Sequence, residues 1–216
     1  KIGDKKKLLI LSERNAKYNL LEIERKKLKE NERSKTKPSL IFLKKDLKLK
    51  TIPIHIECFD NSNIQGSLPT SSCVVFKNGL PSKKDYRIFK IKTITKADDF
   101  ASMREVVFRR YKRVLDEKGD IPDLIVIDGG KGQLSSAKES LKRLGLSGKI
   151  AIIGVAKKLE SIYFPNDKIP LFIDKKSPSL KLIQTIRNEA HRFAINYHKK
   201  RSCLLYTSDA ADDTCC

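Results

Sequence analysis

Leu124-Ile-Val-Ile-Asp-Gly-Gly-Lys-Gly132 is the stretch on which the fold turns. Four apolar residues without alternation predict a strand covered on both faces, the pattern of a parallel strand in an α/β sheet. Asp128-Gly129-Gly130 then turns the chain, and a helix is predicted from about Leu134 to Leu144, ending at Gly145. Ile150 to Val155 supplies a further apolar strand. Upstream, from Ile54, the period is two: Ile54, Ile56 and Cys58 share one face, His55, Glu57 and Phe59 the other, and the strand ends at Asp60. Ser71 to Phe76 reads as a second strand, and Asn78-Gly79 is a hairpin signal leading to a third, Asp85 to Ile91. A helix from about Ala97 to Glu117 connects this group to Leu124, and a small hairpin (Ile162 to Phe164, Leu171 to Ile173) precedes a last helix, about Ser179 to Lys199.

Three hairpin-connected strands followed by crossover units predict an α/β fold. The sheet is mixed, antiparallel first and then parallel, with helices on its faces, and this order matches the ribonuclease-H-like layout. Residues 1–50 differ in character, with 17 bases, 7 acids and a thin stripe of Leu8, Leu9, Leu20, Leu21 and Leu28. They read as a basic connecting helix, N-capped by Asp4 and stopped by Pro38, with a short apolar segment Leu40 to Leu47 before Pro53. The chain opens on Lys1 with no signal-peptide pattern, which suggests an internal start. Cys203 to Cys216 shares no pattern with the rest and resembles an in-frame translation of a sequencing adapter. The expected division is therefore 1–50, a domain over 51–201, and an artefactual tail at 202–216.

Lys plus Arg outnumber Asp plus Glu by 46 to 26, a net charge of +20. A surplus of that size points to a polyanion, first of all nucleic acid. No apolar run approaches the ~18 residues of a membrane span, so no membrane partner is expected. Outside the tail only Cys58 and Cys73 remain, ordinary core thiols that suit a reducing cytoplasm and offer no metal cluster.

Two carboxylates stand out because they end apolar strands. Asp60 continues the face of Ile54, Ile56 and Cys58, and Asp128 closes Leu124 to Ile127. Were the two strands neighbours, both carboxylates would meet at one sheet edge, where Mg²⁺ or Mn²⁺ would relieve their repulsion. Aspartate before Gly-Gly is also a common turn former, so both readings stand. His191 lies on the flank of the last helix, roughly 120° from the centre of its apolar stripe, one turn after Arg187. It is either a functional imidazole or a surface histidine. His55 and His198 are given no role. Asp98 and Asp99 open a helix where carboxylates meet the macrodipole favourably. That helix carries Arg104, Arg109, Arg110, Lys112 and Arg113, a cationic face suited to phosphates or simply solvated. Gly129-Gly130-Lys131-Gly132, between strand and helix, suits a phosphate but lacks the spacing of either nucleotide fingerprint. Lys157, Lys158, Arg187 and Arg192 would complete a basic rim.

Five stretches then carry a resemblance. Ile56-Glu-Cys-Phe-Asp-Asn-Ser-Asn-Ile-Gln-Gly66, Ser72-Cys-Val-Val-Phe76, Asp98-Asp-Phe-Ala-Ser-Met-Arg104, Pro122-Asp-Leu-Ile-Val-Ile-Asp-Gly-Gly-Lys-Gly-Gln133 and Ile186-Arg-Asn-Glu-Ala-His-Arg-Phe-Ala194 closely resemble the UvrC family. Its members are the incision subunits of bacterial nucleotide excision repair. The match runs from about Ile54 to Arg201, with a weaker one over Gly3 to Ala16. The resemblance implies a ribonuclease-H-like endonuclease domain that makes the incision 5′ to a DNA lesion. It places the family's catalytic aspartates on Asp60 and Asp128, its histidine on His191 and a further acid on Asp99. Asn63 stands where many members have His, and Asn188 where many have Asp.

The resemblance also implies partners, namely damaged double-stranded DNA and UvrB, with UvrA acting upstream, in a bacterial cytoplasm. The family's amino-terminal nuclease for the 3′ incision and its helix-hairpin-helix module are not recognisable here, which implies weak DNA binding by this piece alone. The expected chemistry is phosphodiester hydrolysis with a divalent cation on Asp60 and Asp128, His191 being a third ligand or a proton shuttle. Lys131, Lys157, Arg104, Arg187 and Arg192 are the candidate DNA contacts. Two rival readings are a non-catalytic nucleic-acid-binding module and another ribonuclease-H-like enzyme, such as a resolvase, which usually needs an acid where this chain has His191.

Overall fold

A seven-stranded sheet organises the described residues, its strands lying in the order Leu80–Pro81, Thr70–Lys77, His55–Ser62, Leu124–Ile127, Ala151–Ala156 and Ser161–Tyr163, with Arg87–Lys90 paired to Thr70–Lys77. The computed structural model describes residues 11–13, 15–20, 22, 37–62, 69–91, 98–156, 160–167 and 169–212. Two compact units divide it, Lys1–Thr36 and Lys37–Cys216. In the first, residues 11–13 and 15–20 are helical and exposed, Leu20 at 60%. Asp4, Leu8, Leu9, Leu21 and Leu28 lie outside the described residues.

In the second unit Pro38, expected to stop a helix, starts one, α1 (Pro38–Asp46). Its fixed φ is already helical and its missing N–H is one that a first turn leaves unpaired anyway. Leu40 and Leu43 of α1 and Leu47 just beyond it are buried in the same cluster as Ile56, Val74 and Phe76. The stretch expected to be part of a connector is therefore packed in the core.

The strands are β1 (His55–Ser62), β2 (Thr70–Lys77), β3 (Leu80–Pro81), β4 (Arg87–Lys90), β5 (Leu124–Ile127), β6 (Ala151–Ala156) and β7 (Ser161–Tyr163). The helices are α2 (Asp99–Asp116), α3 (Lys131–Arg143) and α4 (Pro178–Asp212). β1 pairs antiparallel with β2 and parallel with β5, β5 pairs parallel with β6, and β7 returns antiparallel. The hairpin expected at Asn78-Gly79 is present, both residues having positive φ as its tight turn requires. The expected third strand is split: Lys83–Asp85 forms a 3₁₀ turn and only Arg87–Lys90 is strand. Asp85 holds that turn by accepting from Ser82 Oγ and pairing with Lys77. The later hairpin shrinks to β7 plus a single bridge between Ile162 and Leu171.

Alternation divides the core into two layers. Ile56, Cys58, Val74, Phe76, Leu124 and Val126 face α1 and α4 through Leu40, Ile183, Ile186 and Ala190. Phe59, Cys73, Ile125 and Ile127 face α2 and α3 through Met103, Val107, Tyr111 and Ala137. α4 runs past the expected end at Lys199 as far as Asp212, since extending a formed helix costs far less than nucleating one. Among the described residues no helix is long and apolar enough to cross a membrane.

Candidate active site

Register brings the two aspartates together. Phe59 of β1 stands opposite Ile127 of β5, so Asp60 and Asp128 are the next residues on neighbouring parallel strands. The Asp128 N–H donates to Phe59 O at 2.9 Å, which holds the strand ends in step. Each aspartate continues the α4-facing alternation of its strand, Cys58 to Asp60 and Val126 to Asp128. Asp60 is 2% exposed and Asp128 5%. Burial, followed by the charges of Asp128 and Asp60, pushes the Cys58 thiol well up, so it stays protonated and unreactive.

α4 supplies the imidazole. Ser72 Oγ donates to Ala190 O at 3.0 Å and fixes the helix over β2 one residue before His191. His191 Nδ1 then lies 3.2 Å from Asp60 Oδ2, with its side chain 54% exposed. Asp128, Arg187, Asn188 and His191 line a cleft of about 250 Å³. A hollow of about 800 Å³ opens among Lys48, Asp123, Lys149 and Ile152, but at the opposite ends of β5 and β6. Ligands in open α/β sheets sit at the carboxyl ends of parallel strands, so the smaller cleft is the candidate site.

The turn after Asp128 is held by a close backbone approach. A Cβ on Gly154 of β6 would come within 2.9 Å of Gly129 O, so only glycine lets the Asp128-Gly129-Gly130 turn lie against β6. At the start of α2, Asp98 is the N-cap and accepts from the N–H groups of Phe100 and Ala101. Asp99 is drawn toward the end of β1, its carbonyl accepting from Asn61 Nδ2 at 2.9 Å.

The basic candidates separate. Arg187 lines the cleft 3.8 Å from Glu160, and its buried Nη1 has no hydrogen-bond partner among the described residues. Lys131 is exposed at the start of α3, its ammonium 5.2 Å from the centre of the Tyr163 ring. Arg192 is held by two hydrogen bonds to Glu189. Arg104 belongs to the seam between α2 and α3, paired with Glu139 at 2.9 Å. Lys157, Lys158 and Asn63 lie outside the described residues. The cationic face expected on α2 is largely matched by acids, since Arg109 meets Glu105, Arg110 meets Glu57 and Arg113 meets Glu117.

Sequence reasoning gave no part to Glu57, which is fully buried. It accepts from Arg110 at 2.5 and 3.2 Å and from Tyr111 OH at 2.9 Å, with His55 Nε2 3.5 Å away. Burial alone would raise its carboxyl, but His55, Arg110 and Tyr111 together lower it to about 2. His198 is buried and bonds Thr70 Oγ1 at 2.8 Å, a tie between α4 and the start of β2. The signal for Glu57 was its period-two position in a strand between covered neighbours. It was missed because that face was not recognised as lying under α2.

Among the described residues no group of three or more His, Cys, Asp or Glu side chains could hold a metal ion together. The structure thus brings His191 to Asp60 and Asp60 beside Asp128, but not all three around one point. Two neighbouring carboxylates are nonetheless the donor set Mg²⁺ uses, since it keeps several waters and is commonly bound by one or two carboxylates plus substrate phosphate oxygens. The residues present fit such a cation.

Residues 44–195 match the family model described as the UvrC RNAse H endonuclease domain. The UvrABC system protein C of Christiangramia forsetii is 59% identical over 202 residues, covering 93% of this chain and 34% of that protein. Those of Porphyromonas gingivalis W83 and Prosthecochloris aestuarii are 56% and 50% identical, covering 91% and 93% of this chain and 33% and 32% of the relatives. The chain spans about a third of the length of the curated relatives it matches. Among solved structures, endonuclease V from Bacillus subtilis aligns with a TM-score of 0.39 at 12% identity, over 74% of this chain and 92% of that one, too remote a likeness to carry an argument.

Proposed function

Since the chain belongs to the UvrC family through its RNase H endonuclease domain, we propose that it makes the 5′ incision beside a DNA lesion. The observation that carries this reading is the placing of Asp60, near the end of β1, beside Asp128, which follows the parallel β5, with His191 against Asp60. We place the endonuclease unit over residues 51–201 with α1 packed into its core, after a basic connecting segment and before a tail at 202–216. Its substrate is damaged duplex DNA, and its partners in the whole protein's pathway are UvrB and, upstream, UvrA.

Asp60 and Asp128 would hold the divalent cation, Mg²⁺ or Mn²⁺, which when bound lowers the pKa of water and offsets charge on the phosphate undergoing attack. The protein's own groups do the rest. With the His191 proton on Nδ1, the Asp60 carboxylate accepts it and orients the ring. Nε2 is left with a lone pair to take a proton from the attacking water, and the imidazolium so formed can pass that proton to the leaving oxygen. This arrangement favours the proton-shuttle role over that of a third ligand. Arg187, with its unpartnered Nη1, meets a phosphate oxygen, Lys131 and Lys157 neutralise the flanking backbone, and Arg192 adds to this rim. Arg104, turned to Glu139, plays a smaller part. Asp99, tied to Asn61 beside Asp60, adds a third acid at the edge.

The test is an end-labelled lesion duplex incised by the full-length protein with UvrA and UvrB. The expected products carry 3′-hydroxyl and 5′-phosphate ends at the 5′ nick. Chelation with EDTA is expected to abolish the nick and Mg²⁺ or Mn²⁺ to restore it. A 5′ nick that persists in EDTA would overturn the metal-assisted reading.

A further inference from the structure

We propose that Phe100 is a stacking platform for a nucleobase displaced beside the cleaved phosphodiester, an inference that rests on the nuclease reading above. Phe100 is the second residue of α2 and is 52% exposed, although it sits at the edge where the candidate catalytic residues gather. One isolated exposed phenylalanine is ordinary on a protein surface. Here three observations give it a direction.

First, the ring is held by a built contact. Any side chain on Gly132 would run into Phe100, with Cζ 2.8 Å from the added Cβ, so the ring lies on bare backbone at the start of α3. A flat ring supported on one side and half exposed overall is the form of a base-stacking surface.

Second, both neighbours of Phe100 lead back to the site. Asn61, which follows Asp60, holds the Asp99 carbonyl, and Gly132 lies four residues after Asp128 in the turn that ends β5. The ring thus stands between the segments that leave the two aspartates.

Third, the local charges select a base rather than the backbone. Asp98 and Asp99 immediately precede the ring in sequence and repel a phosphate, whereas a base presents an uncharged face. Lys131, next to Gly132 and exposed, is placed for the phosphate of the same nucleotide. The tolerance of stacking for any base suits an incision set by distance from a lesion rather than by sequence.

The experiment uses full-length protein with UvrA and UvrB and reads single-turnover 5′ nicking of a lesion duplex at sub-saturating protein. Phe100→Ala and Phe100→Leu are each expected to lower the rate by about tenfold or more, and Phe100→Trp to stay within about twofold of wild type. An abasic nucleotide walked along the incised strand is expected to slow wild type at one position and to add nothing there in Phe100→Ala. A wild-type rate for Phe100→Leu would show that apolar packing on Gly132 suffices and would overturn the proposal. So would an abasic scan that slows wild type and Phe100→Ala alike at every position. Asp60→Asn, run beside them, separates the two readings. If it abolishes the nick while Phe100→Ala is normal, only stacking fails. If the nick survives Asp60→Asn, the nuclease reading itself fails and stacking with it.

Discussion

Glu57 stays ionised without solvent because Arg110, Tyr111 and His55 replace the water it has lost. Its folded pKa of about 2, against an ordinary 4.5, is a depressed carboxylate. The stability it contributes is therefore complete above about pH 4.5 and disappears as pH falls through about 2. Glu57→Gln would leave the Arg110 guanidinium, 16% exposed, without its counter-charge and is expected to cost about 3–5 kcal/mol at neutral pH. In urea titrations between pH 7 and 3, the gap between wild type and Glu57→Gln should narrow below about pH 4.5. A gap that stayed constant across that range would mean that the carboxylate charge is not what holds α2 to β1. By contrast, the Arg104–Glu139 pair, with both side chains about half exposed, is of the kind that contributes under about 1 kcal/mol.

At the scale of elements, α1 has the sharpest consequence. Leu43 is fully buried among sheet and α4 residues. Asp46 at the end of α1 accepts from Ser177 and Ser179 at the start of α4. Leu43→Ala is expected to destabilise the domain by about 2–5 kcal/mol in urea unfolding, whereas a residue in a mere connector would change stability by less than about 0.5 kcal/mol. The strands were the most legible elements. β5 was read to the residue because an unbroken Leu-Ile-Val-Ile run bounded by Asp-Gly-Gly has few alternatives. The alternation of β1 placed Asp60 on the correct face. α1 was not legible, because a proline can equally stop a helix or open one and because nine residues give a weak periodicity. α3 begins three residues earlier than expected, at Lys131, since two glycines masked its first turn. Partners from distant sequence, such as Glu139 for Arg104 or Glu57 for Arg110, leave no local trace, which is why the basic face of α2 looked available.

For the whole molecule, a net charge of +20 sets the expected mode of DNA binding. Counterion release makes log affinity fall linearly with log salt, by about 0.9 per duplex phosphate neutralised. If Lys131, Lys157 and Arg187 each meet a phosphate, the slope for the full-length protein should become shallower by nearly one unit on each Lys→Ala or Arg→Ala change. An unchanged slope would remove that residue from the rim. The two layers of core serve the same end, one carrying the aspartates to α4 and the other fixing α2 through Glu57. The central claim is that Asp60 and Asp128 act together as one site for the 5′ cut. It is tested most directly by mapping both nicks made on a lesion duplex by full-length Asp60→Asn and Asp128→Asn protein with UvrA and UvrB. The 5′ nick is predicted to fall at least about a thousandfold in each variant, with the 3′ nick and the melting temperature retained. A 5′ nick that survives in either variant would contradict the account.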